Sequence, residues 1–280
     1  MRAVHPDSGQ GPGNGRSPGR LAVAVVTGAG RGIGAGLAAA LSARGHHLVV
    51  TDVDGDAAQA TAETLDGPAT AMPLDVRDPS AHRAVALAAA ALGDVRVWVN
   101  NAGVLTTAPA WEARDDEVTT TFEVNTLGVV HGSRAAVDVM RRGDVLNVVS
   151  LSGLGPTPGF ALYGASKAAA LSYSQALDIE LASARRPIRV RALCPDVVDT
   201  SLVSSVAHRP SAALLFTGSR LLSIDEVVDA AMGMIGSRRA MRTLPAWRAA
   251  LQRTSAALPG LARVAVPVVA RVGERRRLSR

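Results

Sequence analysis

The single lysine of this 280-residue chain, Lys167, stands four residues after Tyr163, one of only two tyrosines. In a helix that spacing sets both side chains on one face, where a phenol and an ammonium can meet. A free phenol titrates near pH 10, about three units too high for a base at neutral pH. A cation held beside it favours phenolate and brings that value down. The pair is therefore suited to moving a proton to or from a substrate oxygen. Arginine supplies the other 29 basic residues, so a lysine here answers a chemical need. A compact ammonium with three donors can meet geometries that a planar guanidinium cannot.

A second cluster is rich in glycine. Thr27-Gly28-Ala29-Gly30-Arg31-Gly32-Ile33-Gly34 follows an apolar run and precedes a helical pattern. Between a strand and a helix, such a turn brings backbone N–H groups to a pyrophosphate. Gly28, Arg31, Gly32, Ile33 and Gly34 are the expected contacts of this loop. Asp52 closes the next apolar run, 18 residues after Gly34. A carboxylate there accepts both ribose hydroxyls of NAD and repels a 2′-phosphate. Arg31 pulls the other way, toward NADP. The reading favours NAD over NADP.

The elements that must position these groups follow from alternation. Candidate strands are Ala22–Thr27, His47–Asp52, Ala69–Leu74, Arg96–Asn100, Asp144–Ser150 and Ile188–Leu193. Candidate helices lie at 32–44, 56–65, 79–92, 115–141, 161–184 and 224–236, the last opened by Ser223 as N-cap. The strands are continuous apolar runs, as expected when helices cover both faces of a parallel sheet. Repeated βα units predict an α/β, doubly wound Rossmann-type fold with a mostly parallel central sheet, ligands binding at the carboxyl ends of its strands.

Taken in order, the motifs resemble those of the short-chain dehydrogenase/reductase family over residues 21–235. They are TGAGRGIG (27–34), Asp75-Val76, NNAG (100–103), Asn125, Ser150, YGASK (163–167) and the Pro195–Thr200 segment. The resemblance implies an NAD(P)-dependent alcohol dehydrogenase or carbonyl reductase with Tyr163 as general acid/base. It implies that Lys167 lowers the phenol's pKa and holds the nicotinamide ribose. Ser150, thirteen residues before Tyr163, orients the substrate oxygen, with Ser152 its competitor one alternation on. Asn125 anchors a proton-relay water. Asp75, Val76, Asn101, Ala102 and Gly103 line the adenine and ribose site, while Val198 and Thr200 meet the nicotinamide carboxamide. Ser150, Ser152, Tyr163 and Leu202 face the substrate.

Charge separates the chain into three parts. Residues 238–280 carry eleven arginines and one glutamate, whereas 21–237 carry 16 basic and 22 acidic residues. An acidic body disfavours nucleic acid as a partner. The expected division is a disordered lead-in (1–20), one catalytic domain (21–245) and a basic amphipathic extension (246–280). The extension either packs on the body or a partner subunit, or makes peripheral contact with an anionic membrane. A lone cysteine, Cys194, and six histidines without ligand spacing give no metal site. With no signal-peptide or membrane-span pattern, the expected setting is cytoplasmic.

Two departures from the family pattern stand out. Pro195 is followed by Asp196 where glycine is usual, and the glycine pair that often closes the last strand is replaced by Met241–Pro245. The second bears on the homodimer or homotetramer that the resemblance implies. Leu202, Val203, Val206, Leu214, Leu215 and Phe216, in the segment over the substrate pocket, favour an apolar alcohol or ketone. Two alternatives remain at this level: an NADP-dependent 3-oxoacyl-type reductase, and a catalytically silent dinucleotide sensor or scaffold.

Overall fold

The structure, a computed structural model, describes residues 20–218 and 220–278. The expected lead-in lies outside these residues except for Arg20. Seven strands form one all-parallel sheet in the order β3-β2-β1-β4-β5-β6-β7. They are β1 (Ala22–Thr27), β2 (His47–Asp52), β3 (Ala69–Pro73), β4 (Asp94–Asn100), β5 (Gly143–Val148), β6 (Ile188–Pro195) and β7 (Met241–Leu244). The chain builds outward from β1 to β3, then returns to lay β4 on the other side of β1. Strand order reverses there, so a crevice opens at the carboxyl ends of β1 and β4.

The strand β1 shows why the apolar runs are unbroken. Ala24 and Val26 enter the core on one face with Leu37 and Leu41 of α1 (Gly32–Ala43) and Val227 of α8 (Ile224–Met232). Val23 and Val25 enter the core on the opposite face with Val85 and Ala89 of α3 (Pro79–Leu92) and Ala136 of α5 (Gly128–Val139). All four strand residues are fully buried, as period-two alternation between two covered faces requires.

Helix starts follow side-chain chemistry. Asp54 caps α2 (Gly55–Glu63), and Asp78 caps α3. Ser223 Oγ accepts from Glu226 N at 3.1 Å while Glu226 Oε2 accepts from Ser223 N at 2.9 Å, the reciprocal box that opens α8. The helix expected over 115–141 is divided. α4 (Asp115–Phe122) gives way to a π-helical turn at Glu123–Leu127 before α5 begins. Apolar spacing does not register the extra residue of such a turn. Ser150 also lies outside the strand expected to hold it: β5 stops at Val148, and Ser150 caps a 3-10 turn over Leu151–Leu154.

After β6 the chain runs through α7 (Ser201–Ser204) and a 3-10 helix at Pro210–Phe216, then α8 and β7. Two further helices follow, α9 (Ala246–Ala257) and α10 (Pro259–Leu278). The long helix α6 (Ala161–Ser183) carries Tyr163 and Lys167.

Candidate active site

A cleft of about 720 Å³ opens at the carboxyl ends of the strands. Of the expected cofactor residues, Gly28, Arg31, Gly32, Ile33, Asp52, Asp75, Val76, Asn101, Ala102, Gly103, Val198 and Thr200 line it. Ser150, Ser152, Tyr163, Lys167 and Leu202 line it too. Gly34 and Asn125 are not among the lining residues, and each has a different place.

Gly34 lies beneath the loop. A Cβ on it would fall 2.1 Å from the Gly28 carbonyl oxygen, so the turn closes only over glycine. Gly32, at φ +59°, faces open space instead: a Cβ would have only the Thr200 methyl for a neighbour, at 3.9 Å. No side chain caps the start of α1, since Arg31 offers no acceptor. The first-turn N–H groups are thus available to an anion. Asn101 holds the loop from behind, its amide donating to Thr27 O at 3.1 Å and Gly28 O at 2.9 Å.

Asp52 is fixed by the backbone. One carboxylate oxygen accepts from Gly30 N at 2.9 Å and the other from Asp54 N at 3.1 Å. Asp75 is engaged as well: Arg77 binds it with two N–H groups, at 2.6 and 3.0 Å, holding its carboxyl below the ordinary range. Arg31 is exposed in this part of the cleft. An uncapped helix start with a fixed carboxylate beyond it matches a pyrophosphate and its adjoining ribose. The residues present fit a dinucleotide.

Tyr163, Lys167 and Ser150 meet at the inner end. Lys167 is buried, and its Nζ lies 5.8 Å from the centre of the Tyr163 ring and donates to Val148 O at 3.1 Å. Burial lowers its pKa to about 8. Burial also holds the Tyr163 phenol above its ordinary value, while hydrogen bonding with the Ser150 hydroxyl pulls it back.

Asn125, in the π-helical turn, is fully buried. Its amide oxygen accepts from Val104 N at 2.9 Å, and its amide nitrogen donates to Val104 O at 3.0 Å and Ser166 Oγ at 3.1 Å. It therefore joins the loop after β4 to the helix that carries the tyrosine. Behind it runs a buried relay. Trp98 Nε1 donates to Asn100 Oδ1, Asn100 Nδ2 to Asn147 Oδ1, and Asn147 Nδ2 to Ser174 Oγ, all within 2.9 Å. These contacts fix β4, β5 and α6 relative to one another.

Of the apolar residues expected over the pocket, Leu202, Val203 and Leu215 line the cleft, as do Leu105 and Phe160. Phe216 instead packs into a small core with Phe160 and Ala212, and Val206 is buried outside the lining. Asp196 lines the cleft and reaches the extension: its Oδ2 lies 2.9 Å from Arg248 Nε of α9. Arg248 Nη2 also donates to Thr217 Oγ1 at 2.9 Å. Burial raises the Asp196 carboxyl and Arg248 pulls it back. The partner of Asp196 lies 52 residues further along the chain, beyond the reach of any local sequence pattern.

The parallel sheet, its glycine turn and the tyrosine–lysine pair define a nicotinamide-dependent oxidoreductase site. Residues 22–211 match the family model for short chain dehydrogenases, and the chain belongs to the short-chain dehydrogenase/reductase family. It is an NAD(P)-dependent dehydrogenase/reductase acting on alcohols or ketones. It is 36% identical over 226 residues to the 1-deoxy-11-beta-hydroxypentalenate dehydrogenase of Streptomyces avermitilis, covering 77% of this chain and 82% of the relative. It is 32% identical over 200 residues to a 2-dehydro-3-deoxy-L-rhamnonate dehydrogenase (NAD(+)) of a Sphingomonas species, covering 69% and 77% respectively. A short-chain dehydrogenase/reductase of Burkholderia phymatum, solved in complex with NAD, superposes with a TM-score of 0.79 at 28% identity. That likeness covers 86% of this chain and 95% of the other.

Proposed function

We propose that the chain transfers hydride between NAD and an apolar secondary alcohol or its ketone, with Tyr163 as the general acid/base. The observation that carries this reading is the sharing of one cleft by the glycine loop, Asp52, Tyr163, Lys167 and Ser150. The nicotinamide, when bound, supplies the hydride acceptor or donor. The chain's own residues handle the oxygen and its proton. Ser150 donates a hydrogen bond to the oxygen as charge develops on it. The Tyr163 hydroxyl gives its proton to a carbonyl oxygen in reduction and regains it in oxidation. Burial favours the protonated phenol, the form that reduction requires. Lys167, deep in the cleft, holds the ribose next to the reacting ring.

The preference for NAD rests on Asp52, whose carboxylate is oriented by two backbone N–H groups. The names of the Sphingomonas relative and of the Burkholderia structure both carry NAD, which supports it. The apolar preference rests on Leu105, Phe160, Leu202, Val203 and Leu215. The working form is a homodimer or homotetramer in the cytoplasm, where its lone buried thiol, Cys194, has no disulfide to make.

A panel of secondary alcohols and ketones, followed at the reduced-nicotinamide absorbance with NAD and with NADP, tests the reading. Turnover of apolar members with NAD is the expected result. Tighter binding of NADPH than NADH would remove the assignment to Asp52 and shift weight to Arg31.

A further inference from the structure

The last two helices are each two-faced. Toward the body, α10 buries Ala262 and Gly273 and packs along the 3-10 helix at Pro210–Phe216. The approach is close: a Cβ on Gly273 would fall 2.1 Å from Ala213 O. Arg276 donates to Gly218 O at 2.8 Å, and Arg277 to His208 O at 3.0 Å. The helix α9 turns Arg248 and Gln252 inward, the latter donating to Thr157 Oγ1 at 2.8 Å. The extension is therefore docked on the segment that covers the cleft.

Their outer faces are apolar. On α10, Leu261, Val264, Val268 and Val272 recur at three- and four-residue spacing and are 45–71% exposed. On α9, Trp247 and Leu251 stand four apart and are 59–62% exposed, and Leu258, just after the helix, is 51% exposed. Helices already packed on one side need no second aliphatic row in water.

Charge selects what covers it. Arg263, Arg271 and Arg275 are exposed on the same helix, within a segment of eleven arginines and one glutamate. A second copy of this surface would set like charge against like. An anionic lipid surface satisfies both the arginines and the aliphatic row. No helix among the described residues is long and apolar enough to cross a membrane. We propose that α9 and α10 form an interfacial anchor lying on anionic lipid, which brings the segment over the cleft to the bilayer. The inference is independent of the reaction assigned above.

The test is co-sedimentation of the full chain with vesicles of phosphatidylcholine alone or with equimolar phosphatidylglycerol. The protein is expected to pellet with the anionic vesicles, and roughly tenfold less with neutral ones or at high salt. The double substitution Val264→Asp/Val268→Asp should lower pelleting by roughly tenfold or more and leave NADH binding unchanged. Arg271→Gln/Arg275→Gln should weaken pelleting and flatten its salt dependence. Wild-type protein left in the supernatant with anionic vesicles overturns the proposal. So does lipid-free sedimentation equilibrium in which Val264→Asp/Val268→Asp dissociates an oligomer, because the face would then belong to a second copy.

Discussion

Arg248 Nε lies 2.9 Å from Asp196 Oδ2, and through that pair the first helix of the C-terminal extension is tied to the wall of the cleft. Asp196 stands where the family pattern has glycine, so the residue that departs from the pattern is the one that receives the extension. Because Arg248 also binds Thr217, one guanidinium joins the end of β6, the segment over the pocket and α9.

Removing one partner of such a mostly buried pair leaves the other's charge uncompensated, a loss of about 3 kcal/mol. Arg248→Gln should accordingly lower Tm and raise KM for the alcohol severalfold, with a smaller change in kcat. Adding Asp196→Asn should cost less than the sum of the two single changes. Additive losses in denaturant titrations of the four proteins would show that the two side chains act separately.

Cofactor choice turns on Asp52. Asp52→Asn keeps the shape but removes the charge, and should weaken NADH binding by about 1.5–3 kcal/mol, the range for hydrogen bonds to a charged group. NADPH should lose less or gain, since the repulsion of its 2′-phosphate is gone. Fluorescence titration with both reduced cofactors reads the difference. Equal losses for the two would place the carboxylate away from the ribose.

His82 makes stability depend on pH. It is fully buried, its Nε2 lies 3.1 Å from Val76 O and so carries the hydrogen, and burial lowers its pKa from 6.5 to about 4. Below pH 6.5 the unfolded chain takes up a proton that the folded chain does not. Stability from this residue is therefore complete above pH 6.5, falls toward pH 4 and levels off below it, by on the order of 3 kcal/mol in all. His82→Gln should flatten that slope in denaturation curves across this window. An unchanged slope would assign the effect to other groups.

Much of the site was legible because its residues are scarce. One lysine four places from a tyrosine, and a carboxylate at the end of the second strand, could be placed from spacing alone. The sheet was legible because runs such as Ala22–Thr27 are apolar on both alternating faces. Three features were not. The π-helical turn at Asn125 shifts register without changing composition. Ser150 follows the strand because its hydroxyl caps the next turn, accepting from Ser152 N. The Asp196–Arg248 pair is a contact of the fold, and nothing near either residue announces the other. Spacing places Lys167 beside Tyr163 but does not announce that its Nζ donates to Val148 O.

The central claim is that Tyr163 moves the substrate proton. Stopped-flow turnover by Tyr163→Phe, alongside NADH binding by the same variant, tests it most directly. The phenyl ring keeps the packing and loses only the hydroxyl. The account predicts NADH affinity within about twofold of wild type and turnover reduced by roughly a hundredfold or more, the usual size of a general acid/base contribution. Turnover of a verified substrate at the wild-type rate would contradict it.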